Sequence, residues 1–332
     1  MTNSIPRHVA VTGATGFIGS RVVLRLLQAG HTVTALVRRP DRAHHLRALG
    51  VQLVQADVTR PEGLADAMRG ADWLVHLANH YSLHERDEQV YRAVNVEGNR
   101  NVMQAALEAG VGKVVHVSSG VSYGRSPDQP LTETSRVGPH PNAYWRTKHE
   151  GDEVVWAYQR HGLPVVVLYP GGVLGAGDPN ATGAWIRRLV RRRQPVRAFD
   201  ARGFTYVHVD DVAQAVVRAA ALNRTVGERY LIGREFLSNR EFVALVAELS
   251  GVPAPRVVLP DRLAHLSGES FTLLERLTGL PPAMDVSRSS TRHLAAGFRF
   301  GSDRAERDLG LSYTPVRQAI QEFLQSLPNA RA

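Results

Sequence analysis

Over the first 170 residues, short β-branched runs that are apolar on both faces alternate with longer segments of helical periodicity. The runs at 8–12, 32–37, 51–55, 73–77, 114–118 and 165–168 predict strands of a parallel sheet covered on both sides. Between them, 17–29, 62–69, 90–109 and 143–161 carry helical composition. Each of these ends at a glycine, Gly30, Gly70, Gly110 or Gly162, that reads as a C-cap. The alternation predicts a doubly wound parallel α/β sheet. After Pro170 it weakens, and "PGGVLGAGDPNATG", "GVPAPRVVLP" and "GLPPAMD" predict loops and short helices of a smaller lobe. Two later pieces, "YVHVDDVAQAVVRAA" and "ERYLIG", predict a helix and a last strand returned to the main sheet.

Candidate chemistry sharpens this outline at the first turn. "VAVTGATGFIGS" sets Gly13, Gly16 and Gly19, with Thr15, Phe17 and Ile18 among them, between the first strand and the first helix. Glycines there permit a tight turn and close backbone approach to a pyrophosphate, whose charge meets the amides and positive end of the helix. The expected organisation is therefore a dinucleotide-binding Rossmann domain over 1–170, to which 205–233 partly returns, and a substrate-binding lobe built from 171–204 and 234–332. At the end of the second strand, "VTALVRRPDR" offers Arg38 and Arg39, with Arg42 behind them, where a carboxylate would grip a free ribose hydroxyl. This favours NADP(H) over NAD(H), with NAD(H) left open. Asp57, followed by Val58, is an adenine-side candidate or an aspartate capping its own turn.

Composition mainly excludes. A chain of 332 residues, 43% hydrophobic, suits one large domain plus a second lobe. The lack of cysteine removes disulfides, thiolate metal sites and a cysteine nucleophile. A net charge of +9 raises nucleic acid as a partner, but the arginines are spread along the chain without interleaved aromatics, so none is expected. The dense run "WIRRLVRRRQPVR" sets Arg187, Arg188, Arg191, Arg192 and Arg193 opposite Trp185, Ile186, Leu189 and Val190. It reads as a solvated amphipathic helix, with an anion-binding wall as the alternative. No apolar signal core and no run of roughly 18 apolar residues is present, so no membrane partner is expected and the cytoplasm is the default location. His76, His80 and His84 are spaced by four. His76 closes a strand and the others fall in loop, so no metal site is expected; His80, Tyr81 and His84 should line the substrate mouth or face water.

"YWRTK" sets Tyr144 and Lys148 on one helix face. An ammonium beside a phenol lowers its pKa from about 10, which makes it a usable proton donor and acceptor near neutrality. With the TGxxGxxG turn and the serines of "VVHVSSGVSYG", this YxxxK helix resembles the extended short-chain dehydrogenase/reductase family. Long stretches, among them "HYSLHERDEQVYRAVNVEGNRNVMQAALEAGVGKVVHVSS", "GLPVVVLYPGGVLGAGDP", "YVHVDDVA" and "GERYLIG", resemble its dihydroflavonol-reductase-like branch, which includes bacterial members named hopanoid-associated sugar epimerases. The resemblance covers nearly the whole chain.

The resemblance implies roles. Ser119 matches the catalytic serine, with Ser118 the alternative by a one-residue slip; Tyr144 matches the proton-transfer tyrosine, and Lys148 the lysine that binds the nicotinamide ribose and depresses that tyrosine's pKa. Asn95 matches an asparagine supporting the lysine and a proton-relay water, or else it bonds only backbone. Leu77 and Ala78, after His76, would border the cofactor, and Pro170, Gly172 and Val173 would flank the nicotinamide amide. Two departures stand out. Asn99 replaces a more usual threonine, and "RAFDARGFTYVHVDD" lacks the GDGxQxRDF segment of many nucleotide-sugar enzymes. The implied activity is NADP(H)-linked interconversion of a ketone or aldehyde with an alcohol, in a chain that can form a homodimer. The rivals are a redox-neutral sugar epimerase or dehydratase on retained NAD, and a non-catalytic redox-sensing regulator, which would typically have lost the tyrosine.

Overall fold

The computed structural model describes residues 5–83, 87–125, 129–279 and 286–328. The strands are β1 (His8–Thr12), β2 (Thr32–Val37), β3 (Gln52–Gln55), β4 (Trp73–His76), β5 (Lys113–Val117), β6 (Val165–Pro170), β7 (Gly172–Leu174), β8 (Val196–Arg197), β9 (Gly203–His208), β10 (Arg229–Ile232), β11 (Glu235–Ser238) and β12 (Val257–Val258). Seven of them form one sheet in the order β10-β6-β5-β4-β1-β2-β3. Every neighbouring pair in it is parallel. All residues of β5 and β6 are buried, which requires helices on both faces. "ERYLIG" does supply the last strand, pairing Arg229 with Val167 and Ile232 with Pro170. A small sheet, β11-β9-β7, belongs to the second half of the chain.

The first helices are α1 (Phe17–Gln28), α2 (His44–Arg47), α3 (Leu64–Met68), α4 (Glu88–Arg92), α5 (Gly98–Glu108), α6 (Ala143–Arg160), α7 (Ala181–Val190) and α8 (Val209–Ala221). The last are α9 (Asn239–Ser250), α10 (Asp261–Thr278), α11 (Arg288–Ala296), α12 (Asp303–Leu309) and α13 (Val316–Ser326). Helices α1 and α8 pack together over one face of the sheet, with Val22, Val23, Leu26, Val212 and Val216 in a shared core. Helices α3, α5 and α6 cover the other, where Met103, Trp145 and Trp156 join residues of the C-terminal half. The four glycines expected as helix stops all take positive φ, from 67° at Gly110 to 96° at Gly162.

Three expectations need correction. The segment 90–109 is not one α-helix, because α4 and α5 are joined by a π-helical turn, Ala93–Glu97, with Asn95 at its centre. Such a turn adds one residue to the hydrogen-bonded ring and often marks a functional site. The first residues of "YVHVDDVAQAVVRAA" belong to β9, and α8 begins only at Val209. The arginine run does not share one solvated side. Arg187 donates to the Asp178 carbonyl at 2.8 Å and lies over the Phe323 ring, Arg188 lines the central cavity, and only Arg191–Arg193, beyond the end of α7, are exposed. His84 lies outside the described residues. Among the described residues no helix is long and apolar enough to cross a membrane, and no cluster of His, Asp and Glu could hold a metal ion.

The strand order reverses between β1 and β4, so the carboxyl ends of these strands border a crevice. The glycine turn after β1 opens onto it.

Candidate active site

The cradle is built from absence of side chains. Gly13 holds φ at 69°, and a Cβ there would come within 2.8 Å of the Ala78 nitrogen. A Cβ on Gly19 would lie 2.1 Å from the Gly13 carbonyl oxygen, so only glycine lets α1 approach the turn. Gly16 caps α1 and, being glycine, gives the amides of that first turn no side-chain cap. Those amides and the helix dipole fit a pyrophosphate. Thr15 is exposed at the tip of the turn, while Phe17 and Ile18 line the cavity beside it.

Behind the cradle a buried chain of hydrogen bonds fixes the end of β4. The Thr12 hydroxyl meets His76 Nδ1 at 2.6 Å and accepts from the amides of Leu77 and Ala78 at 3.2 and 3.3 Å. His76 Nε2 lies 2.9 Å from Asn99 Oδ1, an acceptor, so Nε2 carries the proton and Nδ1 accepts from Thr12. Asn99 thus sets the tautomer of His76.

At the far end, Arg38 and Arg39 are exposed just past β2, and no carboxylate occurs between residues 32 and 40. Asp57 accepts from the amide and hydroxyl of Thr59 at 3.0 and 2.9 Å, which is the turn-capping alternative. The Val58 side chain borders Gly98, and its carbonyl accepts from Asn101.

At the other end, α6 and the turn after β5 converge. Tyr144 is buried against the rings of Tyr81 and Tyr91, with the Ser119 hydroxyl and the Asn79 carboxamide beside its phenol. Ser118 points elsewhere and donates to Asp152 Oδ2 at 2.8 Å. Geometry therefore separates the two serines, and Ser119 is the one at the tyrosine. Burial, the largest influence, pushes the Tyr144 phenol above its ordinary value, while Ser119 and Asn79 pull it down. The expected depression by Lys148 is not what the structure shows, because the phenol's own desolvation outweighs the opposing contacts. Lys148 is itself buried, which lowers its pKa, with Asp152 opposing.

Asn95 fits neither reading as stated, since it bonds the His80 backbone and one side chain, Thr147. Its Oδ1 accepts from the His80 amide at 2.8 Å and its Nδ2 donates to the His80 carbonyl and to Thr147 Oγ1, so its side chain holds the 79–82 segment rather than Lys148. A Cβ on Gly151 would lie 2.0 Å from the Asn95 carbonyl oxygen, and this glycine lets α6 press against the π-turn.

The cavity joining these parts measures about 550 Å³. Gly13, Gly16, Phe17, Ile18, Gly19, Leu77, Ser119, Tyr144, Pro170, Gly172 and Val173 line it, whereas Arg38, Arg39, Asp57, Val58, Asn95 and Lys148 lie outside its wall. Its far side was not legible in the sequence: Trp185 from α7, Phe204 and Tyr206 from β9, and His293 and Leu294 from α11. Asn79 was missed as well.

Two imidazoles, His76 fully buried and His293 half-buried on the cavity wall, make a prediction about stability. Burial, first among the causes in both, holds His76 down to about 3 and His293 down to about 4 against an ordinary 6.5. Both are neutral in the fold, and the unfolded chain gains protons as pH falls below 6.5, so their contribution is complete above 6.5 and is lost on acidification towards 4. At pH 5 each should cost about 2 kcal/mol. The melting temperature at pH 5 is expected at least about 5 °C below that at pH 7.5. An unchanged melting temperature would contradict neutral burial of the pair.

Comparison with known proteins bears on the family and the fold. The profile of the NAD dependent epimerase/dehydratase family matches residues 9–233. The chain is 30% identical over 331 residues to a putative dihydroflavonol 4-reductase of Synechocystis sp., covering 96% of this chain and 94% of the relative. It is 33% identical over 317 residues to sterol demethylase protein B of Methylococcus capsulatus, covering 94% and 95%. The solved structure of gox2253 superposes with a TM-score of 0.83 at 31% identity, covering 96% of this chain and 97% of that one. Other relatives are named as reductases, dehydrogenases and epimerases. The chain belongs to the NAD-dependent epimerase/dehydratase family of extended short-chain dehydrogenase/reductases, an enzyme family whose members work with NAD(P).

Proposed function

We propose that this enzyme interconverts an apolar ketone or aldehyde and the corresponding secondary or primary alcohol, with NADP(H) as the preferred cofactor. The observation that carries the reading is the meeting of Ser119 and Tyr144 on the wall of a cavity that runs from the glycine cradle to an aromatic far side. The cofactor supplies or takes up the hydride. Ser119 donates a hydrogen bond to the carbonyl oxygen, and Tyr144 gives that oxygen its proton as it becomes a hydroxyl. A phenol raised by burial stays protonated through neutral pH, as the donor in a reduction must. Lys148, one turn along α6, binds the ribose hydroxyls, and the amides of α1 receive the pyrophosphate. Trp185, Phe204, Leu294 and Phe298 offer a substrate apolar contact, and His293, neutral, offers a polar point among them, with Tyr206 and Arg188 also on the lining. Relatives named for a dihydroflavonol and a sterol support an apolar substrate class.

Arg38 and Arg39 support the cofactor preference, since each can make charge-assisted hydrogen bonds to a 2′-phosphate worth about 1.5–3 kcal/mol. NADPH is expected to bind at least ~10-fold more tightly than NADH, because 1.4 kcal/mol is a factor of ten. Arg38→Ala should narrow that gap while leaving NADH affinity nearly unchanged. Dissociation constants from fluorescence titration check this. Equal or tighter NADH binding in the unmutated protein would reject the assignment and favour a redox-neutral epimerase that retains NAD.

A further inference from the structure

Asp152 lies one helical turn beyond Lys148 on α6 and is 3% exposed. Its Oδ2 accepts from the Ser118 hydroxyl at 2.8 Å and its Oδ1 from His116 Nε2 at 3.3 Å. The Ser118 hydroxyl also meets that of Ser122 at 3.0 Å, so the carboxylate ties the turn after β5 to α6. Burying a carboxylate is costly unless a charge and hydrogen bonds compensate it.

The surroundings leave few candidates for that charge. His76 on β4 and His116 on β5 face the pair, and burial keeps both imidazoles below their ordinary value. Tyr123 after β5, Tyr144 on α6 and Tyr169 on β6 also face it, and burial raises all three phenols. Glu133 and Arg229 lie farther out, against Tyr123. His116 is the ring in contact with Asp152, and with both imidazoles held below their ordinary value, Lys148, four residues back on the same helix and also 3% exposed, is the remaining cation in electrostatic reach of the carboxylate, though beyond ion-pair distance. Conversely, Asp152 is the anion that faces Lys148.

We propose that Asp152 is a positioning residue of the active site: it is the counter-charge that keeps Lys148 an ammonium and, through Ser118, it holds the adjoining Ser119 in register with Tyr144. The inference rests on the reading of Lys148 as the ribose-binding lysine. Without Asp152, a lysine buried among neutral rings gives up its proton at a lower pH, and the donor to the ribose is lost as pH rises. Asn at 152 keeps the shape and can still accept from Ser118, so it removes the charge selectively.

The test is NADPH affinity between pH 7 and 9.5, measured by fluorescence on the full chain. Affinity of the unmutated enzyme should change less than about two-fold across this range. In Asp152→Asn it should fall at least about 10-fold from pH 7 to 9.5, and Asp152→Glu should restore the flat profile. A profile of Asp152→Asn parallel to that of the unmutated enzyme would overturn the proposal. Lys148→Met separates the two readings: if it binds NADPH as tightly as the unmutated enzyme, the lysine assignment itself fails. A titration of the Lys148 side chain in the unmutated enzyme, by NMR of 13Cε-labelled lysine, keeps the proposal testable should Asp152→Asn not fold. The signal should remain that of an ammonium to pH 9, and deprotonation below pH 8 would overturn it.

Discussion

Tyr144→Phe is expected to lower turnover by about 10²- to 10⁴-fold, the range over which a positioned proton donor contributes. The NADPH dissociation constant should stay within about two-fold. The reason lies in what the phenol touches. Its ring packs against Tyr81 and Tyr91, and Phe preserves that packing. Its hydroxyl lies beside Ser119 and Asn79, and all three residues line the cavity. The substitution therefore removes the proton and little else, so the loss should appear in kcat and kcat/KM equally. Initial rates with a reducible apolar ketone and a parallel fluorescence titration check both halves. Wild-type turnover in this variant would exclude Tyr144 as the donor.

Lys148→Met should act differently, damaging cofactor affinity and turnover together. Loss of charge-assisted hydrogen bonds worth about 1.5–3 kcal/mol each predicts about 10- to 100-fold weaker NADPH binding. A second consequence follows from burial. Asp152 would be left buried with its hydrogen bonds from Ser118 and His116 but without the lysine's charge in electrostatic reach, which leaves the carboxylate less well compensated. The melting temperature should therefore fall as well, unlike that of Tyr144→Phe. Unaltered NADPH affinity, measured by the same titration, would show that the lysine does not serve the cofactor.

The parts of the molecule that could be read from the sequence are those whose signal is local. Strands β1, β2, β4, β5 and β6 are buried on both faces along most of their length, and helices between them end in glycines with positive φ, so periodicity and punctuation sufficed. The glycine turn was equally plain, because close backbone approach leaves no alternative residue at Gly13 or Gly19. The π-turn around Asn95 was not legible. It depends on Gly151, more than fifty residues later, which lets α6 meet the Asn95 carbonyl. The choice between Ser118 and Ser119 was open in the sequence; in the structure Asp152 takes the Ser118 hydroxyl, and Ser119 lies beside Tyr144. The aromatic far wall draws Phe204 from β9 and His293 from α11, and no spacing rule brings residues that distant together. Lys148 and Asp152 show the limit of reading a spacing alone. The four-residue interval from Tyr144 suggested a direct electrostatic effect on the phenol, whereas burial of all three groups gives the lysine its own anion one turn further on.

The central claim is that the cavity between the glycine cradle and the aromatic wall reduces an apolar carbonyl at Ser119 and Tyr144. Incubation of the enzyme with 4-deuterated NADPH and a panel of apolar ketones, followed by mass spectrometry of the alcohols, tests it most directly. The account predicts at least one ketone converted to an alcohol carrying one deuterium on the former carbonyl carbon, with NADPH consumed in equal amount and the product nearly absent in Tyr144→Phe. No deuterium transfer to any ketone, together with inversion of a nucleotide sugar by enzyme holding NAD throughout, would contradict it.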